Sequence, residues 1–213
     1  MNQAFEDILK FTITLLSIIN PIGIIPIFIN ITRNSSKSQI VKISNSCSVA
    51  VMVTILVSLI AGQKALEFFG ISIASFTIGG GVLISTMAFS MINAHSSGAK
   101  INEEEINQIQ DLRELGIVPL AIPLLSGPGA ISTSIIHAKA FSSTVHWGGA
   151  FIAILFVGLV IKLILSSSKK IGEKLGTIGL NVMTRVMGII LLAISIEMII
   201  GGIKEILPVL KNG

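Results

Sequence analysis

The chain has 213 residues, 52% of them apolar, while only 15 Lys and Arg and 11 Asp and Glu carry a formal charge. With a mean hydropathy of +0.89, the apolar excess is too large for one water-surrounded core; about six segments of roughly 20 residues would absorb it, which excludes a soluble enzyme. The net charge of +4 comes with no basic patch interleaved with aromatics, so the implied partner is the lipid bilayer and not nucleic acid.

The amino terminus does not read as a signal peptide. Glu6 and Asp7 make it acidic, and the apolar run continues through Asn20-Pro21 without a small-residue cleavage site, so the first segment is expected to stay in the mature protein. Uncharged runs predict spans over 11–32, 43–63, 68–99, 116–138, 140–161 and 174–204, the last interrupted by Arg185 and Glu197. The third run is longer than one crossing needs, so its helix is expected to end near Ile92. The runs lack the alternation of barrel strands, and lipid admits only helices or closed barrels, so the expected class is all-α and polytopic. Three spans fall in 1–99 and three in 116–213, joined by a connecting loop over 100–115 that carries Glu103, Glu104, Glu105, Asp111 and Glu114.

Basic residues set the expected orientation. The loops after spans 1, 3 and 5 hold ten Lys and Arg, Arg33, Lys100, Lys169 and Arg185 among them, against five on the other side: Lys10, Lys64, Lys139, Lys204 and Lys211. The richer side is expected in the cytoplasm, with both termini outside and Trp147, beside His146, as an anchor at the outer interface. Cys47, His95, His137 and His146 show no metal-ligand spacing, so neither metal nor cofactor is expected.

Span 1 carries Asn20-Pro21-Ile22-Gly23-Ile24-Ile25-Pro26 near its centre, and span 4 carries Ser126-Gly127-Pro128-Gly129-Ala130, with Pro119 and Pro123 before it. Pro21 and Pro128 are 107 residues apart, and an offset of 108 lays Gly80-Gly81-Val82-Leu83 on Gly188-Ile189-Ile190-Leu191. Two three-span units at one period run in opposite directions through the membrane, which predicts an inverted repeat with helices 1 and 4 broken. A proline inside a helix strands a carbonyl, and unsatisfied backbone at that depth costs several kcal/mol unless it lines a polar cavity or is packed against protein. Two readings are open, a packing kink or a solute site; breaks at repeat-equivalent positions favour the site. Its expected residues are Asn20, Pro21, Gly23 and Pro26 from the first break and Ser126, Gly127, Pro128, Gly129, Ser132 and Thr133 from the second, with Arg185 and Glu197 of span 6 beside them.

Glu197 lies seven residues before Lys204, about 10 Å along a helix. A carboxylate there costs about 3 kcal/mol, which the ten Ile, Leu and Val residues between 186 and 203 offset; it must be neutral, paired or in contact with water. Arg185 snorkels if the span begins at Asn181 and lies well inside if it begins at Thr177. Thr77, Gly81 and Ser85 form a small-residue stripe on span 3, and Ala130, Ser134 and Ala138 another on span 4, spacing that suits close helix packing.

The order and spacing of Asn-Pro-x-Gly-x-x-Pro-Ile-Phe at 20–28, Phe69-Gly70-Ile71-Ser72, Pro119-Leu120-Ala121-Ile122-Pro123, Gly127-Pro128-Gly129, Gly179-Leu180-Asn181 and Thr184-Arg185-Val186-Met187-Gly188 resemble the MarC family of bacterial inner-membrane proteins over nearly the whole chain. The resemblance implies six transmembrane helices in a bacterial plasma membrane and a distant relation to the LysE-type transporter superfamily, without a known substrate. Family members often have Arg where this chain has Thr77, Pro where it has Ala74 and Gln where it has Glu197. The leading expectation is a transporter of a small solute or ion with a midplane site between broken helices 1 and 4. The alternative is a non-transporting scaffold or regulator that associates through its small-residue faces and acidic loop. An enzyme is not expected: H-E-x-x-H, G-x-S-x-G and carboxylates paired on one helix face are all lacking, and Ser132 has no base near it in sequence.

Overall fold

The computed structural model describes residues 2–93 and 116–207, and among these the fold is all-helical. The helical segments are α1 (Asn2–Ile19), α2 (Ile25–Ile31), α3 (Lys37–Phe68), α4 (Ile73–Ile92), the π-helical α5 (Gly116–Leu125), α6 (Pro128–Ala140), α7 (Thr144–Ser166) and α8 (Ser168–Ile206). The acidic loop expected over 100–115 lies outside the described residues. Helices α3, α4, α7 and α8 are long and apolar enough to cross a membrane by length and composition.

Local chemistry explains most of the ends. Ser36 starts α3 with a reciprocal pair of bonds: its Oγ accepts from Gln39 N at 3.4 Å, and Gln39 Oε1 accepts from Ser36 N at 2.6 Å. Gly70, at φ +67, stops the same helix; its N–H donates to Glu67 O at 3.0 Å and that of Ile71 to Leu66 O at 2.9 Å, the double bond of a Schellman turn. Ser72 then caps α4 by accepting from Ser75 N at 3.0 Å, so α4 begins at Ile73, later than the uncharged run, and ends at Ile92 as its length requires. Likewise Ser143 Oγ accepts from His146 N at 3.4 Å and delays α7 to Thr144. Helix α8 reaches back past Lys174 to Ser168, but Gly176, at φ +63, breaks its regular backbone, so the regular stretch holding Arg185 begins at Thr177.

Apolar side chains lie on the outside of the bundle as well as in its core. On α3, Ile43, Cys47, Val51 and Ile55 recur every four residues and are buried, while Val49, Val53 and Val57 are more than half exposed on the opposite side. Helix α7 repeats the pattern, with Ala150, Ala153, Val157 and Ile161 inside and Phe151, Ile152 and Phe156 outside. Exposed apolar rows on this scale belong against hydrocarbon. The main core joins α1, α2, α3, α5, α6 and α7 around Phe11, Leu15, Phe28, Leu120 and Leu125. Because lipid is as apolar as leucine, close packing and interhelical hydrogen bonds hold such a core; one of these bonds runs from Ser48 Oγ of α3 to Gly158 O of α7, 2.6 Å long.

Helices α4 and α8 form the most extensive pairing, with a smaller core of Ile84, Ala88, Met91 and Leu191. They run antiparallel and touch backbone to backbone. A Cβ placed on Gly81 would sit 2.8 Å from Ser195 O, one on Gly188 3.0 Å from Ala88 O and one on Gly202 2.9 Å from Ala74 O. The stripe Thr77, Gly81, Ser85 lies along this seam, and Ser85 Oγ and Ser195 Oγ are 2.9 Å apart. At one end of the bundle His146 lies 3.5 Å from the Asp7 carboxylate and stacks on Phe141, against which Trp147 stands edge-on, 40% exposed.

Candidate functional site at the first helix break

The first break is written in four residues. Pro21 disfavours a right-handed helical conformation at Asn20, and Asn20 adopts φ +46, in the left-handed region that asparagine enters more readily than most residues. Helix α1 thus makes its last bond from Asn20 N to Leu16 O, 3.0 Å. Gly23 N then donates both to Asn20 O at 3.0 Å and to Asn20 Oδ1 at 3.1 Å. A Cβ on Gly23 would collide with the Asn20 carboxamide folded over it, which is why a glycine stands there. Pro26 falls in the first turn of α2, where its missing N–H leaves no gap in the ladder.

The second break uses different means. The N–H and the Oγ of Ser126 both donate to Ala121 O, each at 2.8 Å, which closes the wide turn of α5. Gly127 is extended at φ −72 and ψ −175, and Pro128 opens α6 in the first-turn position that tolerates it. Gly129 is buried where any side chain would strike Ile84 Cδ1, 2.6 Å away, and Ile18 Cγ2, 3.0 Å away. Ser132 and Thr133 are buried on α6, and Ser132 Oγ has no hydrogen-bond partner among the described residues.

A cavity of about 50 Å³ opens at the first break, roomy enough for ordered water. Asn20, Gly23 and four isoleucines of α1, α2 and their link form one wall; Ile84, Met87 and Met91 of α4 and Leu191 of α8 form the other. Asn20 supplies the one polar side chain of this lining, and its Nδ2 is buried without a partner among the described residues. The amide orientation follows from Gly23, whose N–H needs the oxygen. The site therefore offers a neutral hydrogen-bond donor in an apolar enclosure.

The expected site residues divide accordingly. Asn20 and Gly23 line the cavity. Pro21 and Pro26 shape the break without lining it, and Ser126, Gly127, Pro128, Gly129, Ser132 and Thr133 lie outside the lining too. The two breaks approach each other through apolar contacts: Gly129 packs on Ile18 and Ile84, which line the cavity, and Pro128 packs on Gly80. Arg185 and Glu197 are exposed on α8, and neither lines the cavity. Met87 and Met91 were not among the expected residues; their spacing from Ile84 along one face of α4 was the available signal. Among the described residues no group of His, Cys, Asp and Glu is placed to hold a metal.

Comparison with known proteins agrees with these motifs over nearly the full length. The chain is 38% identical to the UPF0056 membrane protein YhcE of Escherichia coli, over 100% of both chains. It is 38% identical to a UPF0056 membrane protein of Pyrococcus abyssi, over 96% of this chain and 98% of the other. With one from Methanocaldococcus jannaschii the identity is 34%, over 92% of this chain and 95% of the other. No solved structure matches the chain. The model of the MarC family of integral membrane proteins matches residues 5–207, and the chain belongs to that family.

Proposed function

We propose that the protein carries a small solute or ion across the membrane by way of the cavity at the first helix break. The observation that carries this reading is the buried, unpartnered Nδ2 of Asn20 in that cavity. An unpaired buried donor costs about 1–3 kcal/mol, and backbone broken at membrane depth is otherwise tolerated where it lines a cavity. A donor in an apolar enclosure suits a solute with a carbonyl or carboxylate acceptor.

The reading takes α1 with α2, and α5 with α6, as two broken spans beside four unbroken ones, six in all, arranged as inverted repeats. Contact pairs support it in part: α1 packs on α7 as α5 packs on α3, α2 packs on α8 as α6 packs on α4, and α3 with α7 and α4 with α8 join equivalent helices, whereas α6 also packs on α3 and α1 to an extent that α2 does not match on α7 and α5. With the basic side in the cytoplasm of a bacterial inner membrane, both termini face the periplasm. Alkaline phosphatase fused after Leu207 is then expected to be active in a Gram-negative host and inactive when fused after Asn34; the opposite pair would reverse the orientation.

Accessibility tests the cavity itself. In a Cys47→Ser background, Asn20→Cys is expected to react with a small charged thiol reagent in intact cells, whereas Ser126→Cys, fully buried and outside the lining, is not. If Asn20→Cys is inert while the exposed control Ser142→Cys reacts, the break is a dry kink and the transport reading falls.

A further inference from the structure

A second and larger cavity, about 340 Å³, lies between the end of α2, the start of α3 and the first turns of α8. Ile29, Ile40 and Leu180 make its apolar wall, Thr32 and Thr177 add hydroxyls, and Arg33, Lys169 and Glu173 bring the charges. Two cations thus face one carboxylate, and among the described residues none of the three is in an ion pair. The cavity exists because α8 bends: Gly172 sits against α2, where a Cβ would lie 2.6 Å from Ile29 Cδ1, and Gly176 then leaves helical geometry at φ +63 on the cavity wall.

We propose that this cavity binds the headgroup of an anionic phospholipid. Exposed apolar side chains place it at the edge of the hydrocarbon: Val41 follows Ile40, and Leu175 and Ile178 flank the Gly176 bend, with Ile178 82% exposed. A charged rim above an apolar wall suits an amphiphile better than a free ion. The residual charge of +1 selects an anionic head over a zwitterionic one, and basic pockets between transmembrane helices hold lipid phosphates in this way. Arg33 can grip a phosphate through two N–H groups and Lys169 as a point charge. Glu173 opposes both, so the site holds its lipid weakly enough to exchange it.

Native mass spectrometry on full-length protein from nanodiscs of mixed phosphatidylglycerol and phosphatidylcholine tests the proposal. Retained phosphatidylglycerol is expected to exceed phosphatidylcholine, to fall about fivefold for each of Arg33→Gln and Lys169→Gln and about 25-fold for the pair, and to rise in Glu173→Gln. The last variant gains affinity, so its outcome stands even if the cation variants fold poorly. Equal retention of both lipids, or retention unchanged in the double variant and in Glu173→Gln, overturns the site. Inorganic phosphate added to pure phosphatidylcholine nanodiscs is expected to leave the melting temperature unchanged; a rise abolished by Arg33→Gln would make the site one for soluble phosphate and overturn the lipid.

Discussion

Gly81→Leu is expected to abolish the folded protein, while Gly79→Leu, two residues away on the same helix, leaves it folded. A Cβ on Gly81 meets Ile199 Cγ1 at 2.7 Å and Ser195 O at 2.8 Å, whereas one on Gly79 meets nothing within 4 Å. Overfilling a packed interior costs about 1–3 kcal/mol where side chains can yield, and a carbonyl of the partner helix yields less. Helix α8 supplies a matched pair, Gly202 against Ala74 O and the open Gly201. Alanine in place of Gly79 or Gly201 is expected to be neutral or to stabilise by up to about 1 kcal/mol, through helix propensity. At Gly81 or Gly202 the same change is expected to lower the melting temperature, read by size-exclusion chromatography of heated samples in detergent. Equal losses at the open and the crowded glycines would mean that α4 and α8 do not meet along this seam.

Asn20→Asp is expected to reduce solute flux by fivefold to about a hundredfold, the equivalent of about 1–3 kcal/mol for a lost donor facing a buried acceptor. The variant keeps an oxygen for Gly23 N and a residue type that tolerates the left-handed region, so the break itself persists. What changes is the Nδ2 side of the carboxamide, where a donor becomes an acceptor that repels a carbonyl or carboxylate. Efflux of entrapped radiolabelled amino acids, sugars and monovalent ions from proteoliposomes provides the readout, taken for whichever of these the unaltered protein releases. Ser132→Ala, outside the cavity lining, is expected to change flux little. Unaltered flux in Asn20→Asp would remove Asn20 from the transport path.

The breaks were legible in the sequence because proline, glycine and asparagine act locally: the residues that interrupt α1 and precede α6 need no tertiary partner to do so. The stripe Thr77, Gly81, Ser85 was legible as a packing face for the same reason, since its spacing defines one side of a helix. Which helix would meet it was not, because antiparallel pairing with α8 is a contact between residues more than a hundred positions apart. The cavity was hidden in the same way: Met87 and Met91 become site residues only through the rotation that turns their face of α4 toward Asn20. Burial on α8 was hardest to read. Isoleucine and leucine occur on every face of it, so the pattern does not distinguish the side that packs from the side that holds Arg185 and Glu197. The bend at Gly176 escaped because the lysines at 169 and 170 made the first turns of α8 look like a loop.

The glycine seam between α4 and α8 has a mechanical consequence. Side chains that interdigitate like gear teeth resist sliding, because every step forces rotamers over barriers. At Gly81, Gly188 and Gly202 the missing side chains let one backbone approach the other and leave hollows over which Ile199, Ile92 and Ile78 are seated, and the Ser85–Ser195 bond is a polar catch in the same register. Interhelical bonds of this kind in membranes average about 0.6 kcal/mol, close to thermal energy. The seam is thus stiff against separation, since close approach maximises dispersion contact, and the seated isoleucines, more than the serine bond, hold it against shear along the helix axes. Because α4 touches Pro128 through Gly80 and walls the Asn20 cavity through Ile84, both helix breaks rest against one helix whose register is held in this way.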